Sequence, residues 1–185
     1  ITSPITSCGF LAPVPIVVNV KNFTAVAVPA NTIFLYYEVN GGTAVKDTLD
    51  VILPASGTVS FSFTEFVDLS ITEINYNIKA YTDWVLDTDN TNDASETDVF
   101  NWGSSLGGIT NSPDTVCIGS QSDTIFLTTY RGDIQQWRFG TDGLLFPGEI
   151  SDTNSFIVPP ILGTTTYFKA IVKNEVCVGE FSSVV

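Results

Sequence analysis

The stretch TVSFSFT at positions 58–64 decides the fold class. Val59, Phe61 and Phe63 fall on one face and Ser60, Ser62 and Thr64 on the other, the period-two pattern of a strand with one side in a core and one in water. INYNIKAY at 74–81 repeats it with Ile74, Tyr76, Ile78 and Ala80 inward, and DIQQWRF at 133–139 is expected to hide Trp137 and Phe139. No window of a dozen residues carries a helical stripe. Between the alternating runs stand turn signals, Asn40-Gly41-Gly42 for a tight hairpin and Thr141-Asp142-Gly143 for another. The chain therefore reads as all-β, with strand spacing that suits sandwiches.

Composition narrows the chemistry. Of 185 residues 44% are hydrophobic, enough for real cores, and seven Lys and Arg face twenty Asp and Glu for a net charge of −13. That balance argues against nucleic acid and anionic membranes as partners and leaves cations as the plausible ionic ones. With no histidine, neither a Ser-His-Asp nor a Cys-His nucleophile system can be built, and zinc loses its usual nitrogen ligand. The longest apolar runs, such as PIVVNV and TIFLYYEV, are too short to span a bilayer. The absence of methionine and of a leader at ITSP leads us to expect a piece of a longer protein.

The segment FNWGSSLGGITNSP at 100–113 combines glycines, serines and a proline and reads as a short joint between two domains, 1–103 and 104–185. Its glycines Gly103, Gly107 and Gly108 are expected to let the backbone bend, with Ile109 opening the first strand of the second domain. Cysteine follows proline by four residues at both Pro4-Cys8 and Pro113-Cys117, a sign of serial modular construction.

LDTDNTNDASETD at 86–98 is the most chemically loaded stretch. Asp87, Asp89, Thr91, Asp93 and Asp98 fall at the first, third, fifth, seventh and twelfth positions of a calcium hand, but Asn92 stands where the turn glycine belongs. Two readings stay open, a calcium site on Asp87, Asp89, Asp93 and Asp98, or a solvated turn closed by Asx side chains. Trp84 and Trp102 flank this loop and the joint, where an aromatic either stacks on a sugar ring or plugs a module contact. Arg131-Gly132-Asp133 reads as the turn before a strand rather than a receptor motif. Catalysis by paired carboxylates is not expected, since the acids cluster in one loop.

In the first half, IVVNVKNFTAVAVP, FLYYEVNGGTAVKDTL, FTEFVDLS and DTDNTNDA resemble a CARDB-type module, the bacterial cell-adhesion-related sandwich, over most of 14–100. In the second, DTVCIGS, GDIQQWRFGTDG, TTTYFKAIVKNEVC and FSSVV resemble the immunoglobulin-like repeats of large secreted Bacteroidetes proteins over nearly all of 107–185. The resemblance implies two tandem immunoglobulin-like β-sandwich domains from an extracellular or cell-surface protein, of a kind often exported by the type IX route. Adjacent modules, surface polysaccharide or neighbouring filament subunits would be its partners. No cofactor beyond a possible calcium ion is implied. The order Cys117, Trp137, Cys177 matches an immunoglobulin-like core and implies a Cys117–Cys177 disulfide, with Cys8 a buried thiol or paired outside the chain. Thr48, Thr115 and Thr124, each in an Asp-Thr-aliphatic triplet, resemble O-glycosylation acceptors of this bacterial group. The alternative to a spacer is a module binding polysaccharide or calcium through the loops around Trp84, Asp87, Asp89 and Trp102.

Overall fold

The computed structural model describes residues 1–10, 13–111 and 113–185. These hold fourteen strands and no helix, in two compact units, Ile1–Asn101 and Trp102–Val185. Among the described residues no helix is long and apolar enough to cross a membrane.

In the first unit β1 (Ser7–Cys8), β3 (Phe34–Val39), β4 (Val45–Thr48), β6 (Ile74–Asp83) and β7 (Ala94–Trp102) form one sheet in the order β1-β7-β6-β3-β4. Facing it is the two-stranded ribbon of β2 (Val17–Lys21) and β5 (Thr58–Ser62). TVSFSFT behaves as its alternation dictates. Phe61 and Phe63 are buried and meet edge to face at 5.3 Å, and Phe63 meets Tyr37 of the opposite sheet at 4.8 Å. Ile16, Leu35, Leu69, Ile78 and Val99 complete the core between the sheets. Asn40 and Gly41, at φ 52° and 66°, carry the β3–β4 turn, which Gly42 N–H closes on the Val39 carbonyl at 2.9 Å. Two successive positive φ values define a type I′ turn, for which Asn-Gly is the favoured pair.

The second unit repeats the plan. β10 (Asp133–Gly140), β11 (Gly148–Ile150), β13 (Tyr167–Lys173) and β14 (Glu180–Phe181) form a sheet in the order β11-β10-β13-β14. β8 (Ile109–Thr110), β9 (Ile125–Thr128) and β12 (Phe156–Ile157) form the other, in the order β12-β9-β8. Strand for strand, β3-β4-β6-β7 correspond to β10-β11-β13-β14 and β2-β5 to β9-β12. Both units are immunoglobulin-like sandwiches, two antiparallel sheets enclosing one core. Trp137 is fully buried among Ile125, Leu127, Phe168 and Val172, and its indole N–H donates to the Asn154 carbonyl at 3.1 Å.

Two expectations are corrected, and one irregularity stands beside them. A register shift between Ile134 and Gln136 brings Ile134 and Trp137 to the same face although they are three residues apart. Phe139, expected inside, is 37% exposed, its ring lying over Gly148 at the sheet margin. The second hairpin is not tight, because Asp142 accepts from Leu144 N–H and Leu145 N–H within a longer loop between β10 and β11.

The supposed joint is largely part of the second sandwich. Leu106 bridges Arg131, Ser105 Oγ accepts from Asn174 N–H, and the Gly103 carbonyl accepts from the Asn174 side chain. Gly107 is needed for close approach rather than bending, since a Cβ there would lie 1.9 Å from the Phe181 carbonyl oxygen. Ile109 does open β8. Ser112 lies outside the described residues.

Candidate functional site

The sequence VVNVK of β2 turns Val18 and Val20 inward and leaves Asn19 and Lys21 exposed. Phe63 N–H donates to the Ile16 carbonyl and Asn22 N–H to the Gly57 carbonyl, which fixes the even-numbered residues of β2 as those bonded to β5. The backbone groups of Val17, Asn19 and Lys21 point the other way. Val17 is met there by Thr2 and Ser3, whose N–H groups lie 2.8 and 3.3 Å from its carbonyl, while Ser3 accepts from Val17 N–H at 3.0 Å. Among the described residues β5 is the one named strand paired with β2.

A cavity of about 370 Å³ opens along this edge. Val18, Val20, Val28, Leu35, Leu53 and Phe63 give it an apolar floor, so it reaches between the sheets. Ala80 to Thr82 of β6 and Ala94 and Ser95 of β7 form the facing wall, and Ile1 lies in its lining. Trp84, Asp87, Asp89, Asn92 and Asp93 of the β6–β7 loop form the rim. This volume lies within the range of ligand sites.

The loop is built by Asx chemistry. Asp87 accepts from Asp89 N–H at 2.9 Å, Asp89 accepts from Thr91 N–H at 3.2 Å, and its other oxygen takes the Asn92 amide at 3.1 Å. Bonds from the Thr91 hydroxyl and N–H hold the Asp89 carboxyl below the usual carboxylate range. Asp93 goes the other way, pushed up by partial burial and by Asp87, Asp89 and Asp83, against a bond from the Thr82 hydroxyl. The loop end of the cavity is thus strongly negative.

Asp98 is not in this cluster. It stands midway along β7, where it accepts from the Asn77 side chain at 3.0 Å. The calcium-hand spacing fails because Ala94 already begins a strand, which carries Asp98 away from the loop. Among the described residues no group of three or more acidic or cysteine side chains is placed to hold a metal ion. Trp84 packs half-buried against the core and lines the cavity, whereas Trp102, the last residue of β7, does not line it.

The cysteines depart from the expected pairing. Cys117 is a free, exposed thiol, and Cys8 and Cys177 are each disulfide-bonded. The first cysteine of the immunoglobulin pattern must point inward from a strand, but Cys117 lies in a turn that Ser120 N–H closes on its carbonyl at 2.9 Å, well before β9. Cys177 is buried, its sulfur 3.2 Å from the Gly103 carbonyl oxygen.

Among the suggested acceptors Thr115 is exposed, Thr124 is half-buried, and Thr48 is half-buried on β4 with its N–H taken by Asp47 at 2.8 Å. Arg131-Gly132-Asp133 leads into β10. Gly132, at φ 111°, lies so close to the Lys173 and Asn174 backbone that a Cβ would come within 2.5 Å. Sequence reasoning missed the cavity beside β2, for which the local signal is the exposed pair Asn19 and Lys21.

A domain of unknown function, DUF8696, matches residues 106–185. No curated protein matches the chain. Among solved structures, the FN1–FN3 domains of chicken CNTN1 are similar over 99% of this chain and 64% of theirs, at 9% identity and a TM-score of 0.39. The chain thus spans less than two thirds of that structure's length.

Proposed function

We propose that the chain is a non-catalytic pair of modules from a larger extracellular or cell-surface protein, a stalk, filament or adhesin, whose work is spacing and surface display. The observation that carries this reading is the recurrence of one sandwich plan in two successive units, in which six strands of each correspond. Repeated modules extend a chain without needing a reaction centre. The disulfide-bonded state of Cys8 and Cys177 supports an oxidising compartment. The CARDB-type reading of 14–100, the Bacteroidetes repeat reading of 107–185 and export by the type IX route belong to the same proposal. Neighbouring modules and filament subunits are its partners.

The polysaccharide or calcium reading draws less support from the geometry. Trp84 spends part of its surface on the core, and the acidic side chains of the loop are engaged in their own turns. Two measurements test the proposal. Antibody raised against the chain should label intact source cells, and label confined to the cytosolic fraction would overturn the surface assignment. A glycan array and a calcium titration should both be blank, and reproducible binding lost in Trp84→Ala or Asp89→Ala would refute the pure spacer.

A further inference from the structure

The outer face of the five-stranded sheet carries a pair of stacked phenols. Leu35, Tyr37, Ile78 and Ala80 take the inward positions of β3 and β6, so Tyr36, Glu38, Lys79 and Tyr81 stand outside. Tyr36 and Tyr81 face each other in register, their rings 5.0 Å apart and 9° from parallel. Both are half-buried, and the neighbour of Tyr81 on β7 is Ala94, too small to cover its ring. Among the described residues no other two tyrosine rings are stacked. Tyr37 and Tyr76 are buried, and their hydroxyls donate to the Glu65 and Ile71 carbonyls, which cannot take a proton. The Tyr81 hydroxyl instead donates to Glu38 Oε1 at 3.0 Å, a carboxylate that can.

We propose that Tyr36 and Tyr81 are a site of oxidative modification, at which a one-electron oxidant, hydrogen peroxide acting through a haem peroxidase, joins the two rings by a carbon–carbon bond. The Lys46 ammonium lies 5.7 Å from the centre of the Tyr36 ring and the Lys79 ammonium 5.9 Å from that of Tyr81. These cations disfavour a positively charged ring, so an electron leaves only together with the phenolic proton. Tyr81 gives its electron to the oxidant and its proton to Glu38, along the hydrogen bond already made. Tyr36 gives an electron to the oxidant and a proton to water. The two phenoxyl radicals couple through ring carbons ortho to oxygen, and each ring then passes its ortho hydrogen to its oxygen, which restores two phenols. One C–C bond forms and two C–H bonds break, while the two electrons and two protons removed reduce one peroxide to two waters. The product ties β3 to β6 across the face of the sheet. Partial burial and the bond to Glu38 push the Tyr81 pKa up, which makes the protonated phenol the resting form. This inference goes beyond the spacer reading and does not depend on it.

The test exposes the 185-residue chain, with Cys117 alkylated beforehand, to a haem peroxidase and hydrogen peroxide. Dityrosine fluorescence should grow in the monomer band, the intact mass should fall by two hydrogen atoms, and a peptide map should join the segments holding Tyr36 and Tyr81. The yield should not change on dilution. Tyr36→Phe and Tyr81→Phe each keep a ring in the stack and should each abolish the monomer product. Glu38→Gln keeps a hydrogen-bond acceptor but not a proton acceptor, and should slow the initial rate by about tenfold or more. A monomer product that survives either phenylalanine variant overturns the inference. So does dityrosine confined to covalent dimers, or a map that joins other tyrosines. A parent rate in Glu38→Gln overturns the part assigned to that carboxylate.

Discussion

Asn101 offers the sharpest test of how the first sandwich is held. It is fully buried near the end of β7, and both ends of its amide are used. The oxygen accepts from Phe10 N–H at 3.1 Å, and the nitrogen donates to the Leu69 carbonyl at 2.8 Å and the Ile71 carbonyl at 3.2 Å. One side chain therefore ties the strand to the segments around residues 10 and 70. Asn101→Leu keeps the volume and strips the bonds. The contact with Leu69 is fully buried and the other two partly so, which makes the loss about 1–3 kcal/mol for the first and roughly 0.5–1 for each of the others. A total near 3 kcal/mol lowers Tm by roughly 12–24 °C for a domain of about 100 residues. Calorimetry reads the shift, and hydrogen exchange along β6 assigns it to the first unit. Asn101→Asp adds a second signature. Its carboxylate would face the two carbonyls in a buried site, so the folded pKa lies above the unfolded one. A raised folded pKa gives stability that is present below the unfolded value and lost as pH rises through the folded one. The deficit of Asn101→Asp against the parent should therefore shrink between pH 7 and pH 4. A leucine variant as stable as the parent, or an aspartate deficit independent of pH, would refute the reasoning.

Cys117 should be alkylated in the folded protein without reductant, while Cys8 and Cys177 react only after reduction, as mass spectrometry would read, and Cys117→Ser should change stability by less than about 0.5 kcal/mol. Gly107→Ala should destabilise the second unit by about 2–4 kcal/mol, because the new Cβ meets the Phe181 carbonyl, and a calorimetric Tm within a degree of the parent's would contradict the packing. Asp47 experiences desolvation that pushes its pKa up, but Thr64 N–H, Thr48 N–H and the Thr64 hydroxyl together outweigh it and hold the carboxyl below its ordinary value. Its contribution is present above the unfolded pKa and lost as pH falls through the folded one, so the destabilisation caused by Asp47→Ala should fade in strong acid. Equal deficits at pH 7 and pH 2 would count against those bonds.

What the sequence revealed followed from periodicity. The strands around Phe61 and Ile78 and the Asn40-Gly41 turn are dictated by residues a few positions apart, and they stand where alternation and turn chemistry put them. Phe139 lies on the face that alternation gives it, beside Phe168, but its ring reaches the sheet margin over Gly148, and where a sheet ends is set by tertiary structure rather than by local sequence. The cysteine pairing failed for a related reason. Order along the chain says nothing of whether Cys117 lies on a strand or in a turn. Asp98 was drawn into the acidic loop by spacing alone, when β7 had already begun at Ala94. Gly107 read as a hinge, but the reason for it is a backbone passing within reach of a Cβ, a tertiary fact. Gly132 does stand in the turn before β10 at φ 111°, and the Lys173–Asn174 backbone beside it adds a second reason. The groove beside β2 was invisible because its lining comes from β2, β6, β7 and the β6–β7 loop, which only the fold brings together.

Each unit also fastens its first segment to its last. In the first, β1 lies beside β7 and the Thr6 hydroxyl accepts from Phe100 N–H at 3.0 Å. In the second, Ser183 N–H donates to the Gly108 carbonyl at 3.1 Å, and the Ser183 hydroxyl meets the Thr110 hydroxyl and takes its N–H, both at 2.9 Å. A pull exerted through the two ends of either unit falls on these contacts before it reaches the core. The tension at which a unit gives way is then set by a few hydrogen bonds near its ends, and is separable from its thermal stability, which the core governs. Removing the Ser183 hydroxyl should lower the extension force recorded with single-molecule tweezers far more than it lowers Tm.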